Sequence, residues 1–173
     1  MELKRVVVTG IGAVSPLGNS AAETWQKLLD GVSGAAPITH FDATQFKTQF
    51  ACELKGFKAE DYIDRKEARK MDPYCHYAMA AASMAMDDSA IDLEAIDKNR
   101  VGVVFGVGIG GMQTFEDEIV NYALHKDAVG PKFSPFFVPK MIADICAGQI
   151  SIKYGFLGPN YITSSACASS TNA

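Results

Sequence analysis

A chain of 173 residues, 48% hydrophobic and 21% charged, is long enough for one domain with a true core and lacks the biases of disordered or repetitive sequence. Its formal charge of -4 excludes a general nucleic-acid binder, which needs a broad positive surface to displace counterions. The opening Met1-Glu2-Leu3-Lys4-Arg5 precedes only three valines, too short an apolar run for a signal peptide or membrane span, so a cytoplasmic protein that engages no membrane is expected. Cys52, Cys75, Cys146 and Cys167 show no CxxC spacing, which disfavours both zinc and a disulfide framework; the first three read as core thiols.

Residues 3–9, β-branched and continuous, read as a buried strand, and Gly10, Gly12, Pro16 and Gly18 enforce an irregular loop after it. A dinucleotide fingerprint fails here because its third glycine would fall on Ser15. Ser20 with Glu23 forms a capping-box signature for a helix that Gly31 ends, with Trp25, Leu28 and Leu29 on the face that covers the first strand. Between residues 32 and 57 the pattern is broken, with a short outer strand within 46–54. Asp64 and Glu67 open a short helix on which Lys66, Arg69 and Lys70 share one face, a solvated surface or a docking patch for an acidic partner.

Asp72-Pro73 restarts the chain as a cap and first-turn proline, and residues 74–86 predict a buried helix. His76, near its start, reads as structural, since no ligand or nucleophile stands at a supporting spacing; His40 and His125 fall in polar or loop settings. A second strand spans 101–105 and runs into Gly106-Val107-Gly108-Ile109-Gly110-Gly111 before a helix from Met112 to about Leu124. This run matches G-x-G-x-x-G formally, yet no acidic residue closes a second strand at the required distance, so close packing is the better use of these glycines. Phe136, Phe137 and Val138 form an apolar cluster, residues 139–154 predict a further helix, and Gly155 and Gly158-Pro159 end it. Strands and helices in alternation make the fold class α/β and layered.

The last stretch, Asn160-Tyr161-Ile162-Thr163-Ser164-Ser165-Ala166-Cys167-Ala168-Ser169-Ser170, reads as a short strand running into a cysteine among small residues. With the strand ending at Ala166 and Cys167 opening a helix, backbone N–H groups and the helix dipole favour the thiolate, and small neighbours leave room for a substrate carbonyl. Locally the same pattern also fits an inert core thiol.

Ser165-Ala166-Cys167-Ala168-Ser169 resembles the nucleophile motif of the β-ketoacyl-[acyl-carrier-protein] synthases, the condensing enzymes of the thiolase fold. Arg5-Val6-Val7-Val8-Thr9-Gly10-Ile11-Gly12-Ala13-Val14-Ser15-Pro16-Leu17-Gly18-Asn19, Asp64-Arg65-Lys66-Glu67-Ala68-Arg69-Lys70-Met71-Asp72, the glycine run at 106–111 and Ser134-Pro135-Phe136-Phe137-Val138-Pro139 are similar to further landmarks of that family, in the same order. The resemblance implies that residues 1–173 are the amino-terminal part of a thiolase-like domain. It implies Cys167 as nucleophile, an acyl pocket bordered by Ile109, Phe137 and Val138, and acyl carrier protein docking on Lys66, Arg69 and Lys70. It also implies a homodimer and a reaction without metal or other cofactor. Ile109 matches the type II enzymes of the family. The family's two catalytic histidines, its lysine and a glycine-rich phenylalanine loop lie beyond the cysteine, in sequence outside these 173 residues. Rival readings are a non-catalytic dimer-forming or carrier-docking half like the chain-length factors, which replace the nucleophile; a cysteine hydrolase, which needs a histidine on the sulfur; and a Rossmann oxidoreductase.

Overall fold

The computed structural model describes residues 4–130 and 132–173. In chain order its elements are α1 (Ala21–Leu29), β1 (Ala36–Pro37), β2 (Phe50–Ala51), α2 (Arg65–Ala68), α3 (Pro73–Ser89), β3 (Val103–Gly106), α4 (Met112–Val129), α5 (Phe137–Met141), α6 (Ile145–Tyr154) and β4 (Asn160–Thr163). They fall into two compact units, one of residues 1–58 with 80–91, the other of 59–79 with 92–173.

In the first unit α1 begins as expected. Ser20 Oγ accepts the Glu23 N–H at 3.1 Å, the Glu23 carboxylate reaches back to the Asn19 N–H at 3.0 Å, and Gly31 leaves the helix at φ 67°. The face assigned to α1 is not covered: Trp25 is 62% exposed and Leu28 and Leu29 are also open, so α1 does not roof a strand. The expected first strand is likewise corrected. Leu3 lies outside the described residues, residues 4–9 form no strand, and Val6 is 90% exposed. A β-branched run becomes a strand only when a partner satisfies its backbone, and among the described residues none pairs with it. The loop after it is tightly held. Cβ atoms at Gly10 and Gly12 would run into the backbone of Ala85 and Ala81 in α3, and the Ile11 N–H donates to Asp88 at 2.8 Å. The outer strand expected within 46–54 is β2, antiparallel to β1. Beside it Cys52 is exposed, which corrects its reading as a core thiol.

The second unit holds the longer core. Cys75, Ala78 and Met79 of α3 are buried, as are Cys146, Ala147 and Ile150 of α6. β3 and β4 pair in parallel, Val103 with Asn160 through Gly106 with Thr163, and α6 packs on both. β3 starts two residues later than expected. α4 continues past Leu124 because no breaker intervenes before Gly130, at φ 74°. The single helix expected over 139–154 is two: Ile142 turns to an extended ψ of 138° after α5, and α6 begins at Ile145. Pro139 sits in the first turn of α5, where its missing N–H costs nothing.

Close backbone contact is the constraint with a measurable consequence. A Cβ at Gly106 would lie 2.5 Å from Ser170, whereas a Cβ at Gly148, within α6, meets nothing within 4 Å. Gly106→Ala is expected to lower the unfolding free energy by about 1–3 kcal/mol or more. Gly148→Ala is expected to raise it by about 0.5–1 kcal/mol in the same denaturant titration.

Candidate active site

Cys167 follows β4 through a turn whose shape is set by short side chains. β4 ends at Thr163, three residues before the expected boundary, and Ala166–Ala168 form a single 3₁₀ turn with Ala166 at φ 50°. A non-glycine residue in the left-handed region is a local strain, and a methyl side chain keeps its cost low. Thr163 Oγ1 donates to the Ser169 carbonyl at 2.7 Å. Ser169 Oγ accepts the Ser165 N–H at 3.0 Å and donates to the Ala166 carbonyl at 2.7 Å, and Asn172 Nδ2 donates to Ser165 Oγ at 2.7 Å. Ser169, at the centre of this clasp, is 3% exposed, while Cys167 beside it is exposed. Sequence reading valued these serines only for their small size; their i, i+4 placement around the cysteine was the available signal for the clasp.

The glycine run lies between this turn and an apolar cleft. Ser164 Oγ donates to the Gly108 carbonyl at 3.4 Å, and a Cβ at Gly108 would approach the Ala166 carbonyl at 3.7 Å. On its other side Gly111 donates to the Met141 carbonyl at 2.9 Å, and a side chain there would strike Lys140. Gly110 needs its φ of 108°. The cleft, about 390 Å³, is lined by Ile109, Gly111, Met112, Phe115, Met141 and Ile142, together with Ala143. Ile109 stands at its mouth, 71% exposed. Phe137 reaches the lining through Phe115, ring centroids 6.2 Å apart, and stacks on Phe133 at 5.7 Å. Val138 is exposed and does not line the cleft.

Lys66, Arg69 and Lys70 are all exposed, on the last turn of α2 and just past it. The helix is shorter than their spacing implied, ending at Ala68 with Arg69 as its cap. Asp64 caps it, accepting the Lys66 N–H at 2.8 Å, and Lys70 pairs with Glu67 at 2.7 Å.

Among the described residues none of the three histidines bonds Cys167. His76 Nε2 meets the Ala68 carbonyl at 2.8 Å, as a structural role requires. His125 Nδ1 meets the Asn121 carbonyl at 2.9 Å, and His40 stands 4.0 Å from Glu53 in the first unit. No group of three or more His, Cys, Asp or Glu among the described residues could hold a metal, and none of the described helices is long and apolar enough to cross a membrane.

Comparison with known proteins gives these features a context. Residues 3–173 match the family model for the N-terminal domain of β-ketoacyl synthases. The 3-oxoacyl-[acyl-carrier-protein] synthase 2 of Staphylococcus aureus (strain COL) is 47% identical over 173 residues, covering 98% of this chain and 40% of that protein. The chain therefore spans about two fifths of the length of the curated relatives it matches. A β-ketoacyl synthase from Burkholderia phymatum superposes with a TM-score of 0.79 at 27% identity over 99% of this chain and 42% of that one. A type II polyketide ketosynthase, solved in complex with its acyl-carrier protein, gives 0.77 at 28% identity over 96% and 43%.

Burial divides the four thiols into two classes. It pushes Cys75 up to about 12 and Cys146 up to about 11, each thiol surrounded by core and close to acidic neighbours. An aromatic disulfide reagent is expected to titrate Cys52 and Cys167 in the folded protein, and Cys75 and Cys146 only on unfolding. Both raised values exceed the unfolded thiol value of about 8.5. The protonated thiols therefore contribute stability in full below that pH, and the contribution fades as pH climbs through 11. Denaturation midpoints measured from pH 8 to 11 should fall, and fall less in a Cys75→Ala, Cys146→Ala variant.

Proposed function

Because the chain belongs to the β-ketoacyl synthase family and has the amino-terminal portion of its thiolase-like α/β fold, we propose that it is the acyl-accepting part of a 3-oxoacyl-[acyl-carrier-protein] synthase of the second type. The observation that carries this reading is the exposed Cys167 thiol on a clasped turn that meets the glycine run at Gly108, the same run that lines an apolar cleft at Ile109 and Gly111. Residues 1–173 then form the first part of one condensing domain, acting in the cytoplasm.

In the first half-reaction the Cys167 thiol gives up its proton and the thiolate attacks the carbonyl of an acyl thioester; the C–S bond to the carrier breaks and the carrier leaves as a thiolate that takes up a proton in turn. The acyl chain extends along the cleft beside Ile109, with Phe137 behind Phe115. In the second half-reaction malonyl-carrier loses carbon dioxide, its carbanion attacks the acyl-cysteine carbonyl, a C–C bond forms and the Cys167 thiolate departs. The acyl chain is two carbons longer. Donors for the oxyanion and for the enolate are the demanding part of that step, and they belong to the remaining three fifths of such a domain.

The carrier is the expected macromolecular partner. A structural neighbour of this chain is held in complex with one, and Lys66, Arg69 and Lys70 offer exposed cations to an acidic helix. Such contacts raise the encounter rate and select the partner more than they deepen affinity. For a homodimer, the support is an apolar stripe along α4, where Met112, Phe115, Ile119, Val120 and Leu124 are all exposed. The chain-length-factor alternative sits poorly with an intact Cys167.

Intact mass after incubation with a simple acyl thioester should show one acyl adduct, lost in Cys167→Ser and retained in Cys52→Ser. An adduct that maps to Cys52 would overturn the assignment. Added malonyl thioester is expected to yield no ketoacyl product from these 173 residues. Replacing Lys66, Arg69 and Lys70 with Glu should slow association with acyl carrier protein by roughly ten-fold or more at low salt, the difference shrinking as salt rises.

A further inference from the structure

The cleft has two walls, and both are tied to one short stretch that lines neither. Asp72 is 3% exposed and takes three donors. Its Oδ2 accepts the Thr114 N–H at 2.8 Å and the Thr114 hydroxyl at 2.7 Å, and its Oδ1 accepts the Tyr74 N–H at 3.2 Å. Thr114 is itself buried, in the first turn of α4 between Met112 and Phe115, which face the cleft. Two residues after Asp72, the Tyr74 hydroxyl donates to the Ile142 carbonyl at 2.6 Å, at the extended break between α5 and α6 that supplies the opposite wall. α4 otherwise starts without a side-chain cap of its own, because its N-cap residue is Gly111.

We propose that Asp72 and Tyr74 are positioning residues for acyl-chain selection: the carboxylate fixes the Met112–Phe115 wall through Thr114 and the phenol fixes the Ile142 wall, so that together they set the cleft's width. The inference rests on the reading of this cleft as the acyl pocket. Neither residue touches the reacting atoms. A charged acceptor shared by a backbone and a hydroxyl donor is directional and strong, and a wall held this way cannot drift without leaving a buried acceptor unpaired. Long chains, which contact both walls, depend on the clamp. Short chains, which reach little of the cleft, do not.

The test uses milder variants than Asp72→Asn, which would set an amide N–H₂ against existing donors and risks unfolding. Tyr74→Phe and Thr114→Val each delete one hydroxyl bond, and Thr114→Ser keeps it. Two readouts are taken on the folded chain: amide hydrogen exchange at residues 109–115 and 141–143, and acylation of Cys167 by four-carbon and ten-carbon N-acetylcysteamine thioesters followed by intact mass. Tyr74→Phe should speed exchange at 141–143 and Thr114→Val at 109–115, each by about five-fold, the scale of one buried hydrogen bond. Both should raise the half-saturating concentration of the ten-carbon thioester by a similar factor, leaving its maximal rate and the four-carbon reaction nearly unchanged, and Thr114→Ser should behave as the parent. Unchanged exchange, equal effects on both thioesters, or failure of Thr114→Ser to restore the parent's selectivity overturns the clamp. A parent chain that neither thioester acylates overturns Cys167 as the acyl acceptor, and the exchange data then decide the clamp alone.

Discussion

Where Gly106 meets Ser169 and Ser170, two stretches of backbone approach more closely than any Cβ would permit. That contact lets β3 end against the turn that carries Cys167, and the parallel pairing of Gly106 with Thr163 locks the two together. From there the chain has no side chain to spare: Gly108 borders Ala166, while Gly110 and Gly111 border the Lys140–Ala143 segment. The turn that carries Cys167 and an apolar cleft are thereby both set against one glycine loop. Larger residues at Gly106, Gly110 or Gly111 would meet neighbouring backbone, so close packing is what this glycine run provides.

The same unit sorts its thiols by solvation. Cys75 and Cys146 are sealed in the core, where the neutral thiol is strongly preferred, and they behave as small apolar groups. Cys167 stands outside that core on a turn whose polar groups are spent on one another through Ser165, Ser169 and Asn172. The clasp fixes the backbone while leaving the sulfur unengaged. On the proposed reading, a rigid base beneath an unengaged thiol is what acyl transfer would ask of this turn.

Much of this was legible in sequence because the signals were local. Ser20, Asp64 and Asp72 announce helix starts through side chains that accept from backbone N–H groups two or three residues on, and each does so. The glycines at 106–111 signalled close approach, and His76 signalled a structural bond. What failed depended on partners distant in sequence. Val6, Val7 and Val8 carry the composition of a strand, and Trp25, Leu28 and Leu29 that of a buried helix face, yet all are exposed. Apolar patterning records that a surface is meant to be covered and says nothing of what covers it. The bonds from Asp72 to Thr114, 42 residues away, and from Tyr74 to Ile142, 68 away, were invisible for the same reason.

The distribution of histidines bears on how the chemistry divides. Acyl transfer to a thiolate needs a reactive sulfur, an oxyanion donor and room for the chain. Condensation adds a separate demand, stabilising the enolate left by decarboxylation, for which a neutral imidazole or an ammonium beside the acyl-cysteine is the economical solution. Here His76 is committed to the Ala68 carbonyl and His125 to Asn121, while His40 belongs to the first unit with Glu53 beside it. None serves Cys167. On the proposed reading the two half-reactions separate physically: receiving an acyl chain would fall to Cys167 and its neighbouring cleft, and the carbon–carbon bond would depend on groups of a different kind brought to the same sulfur.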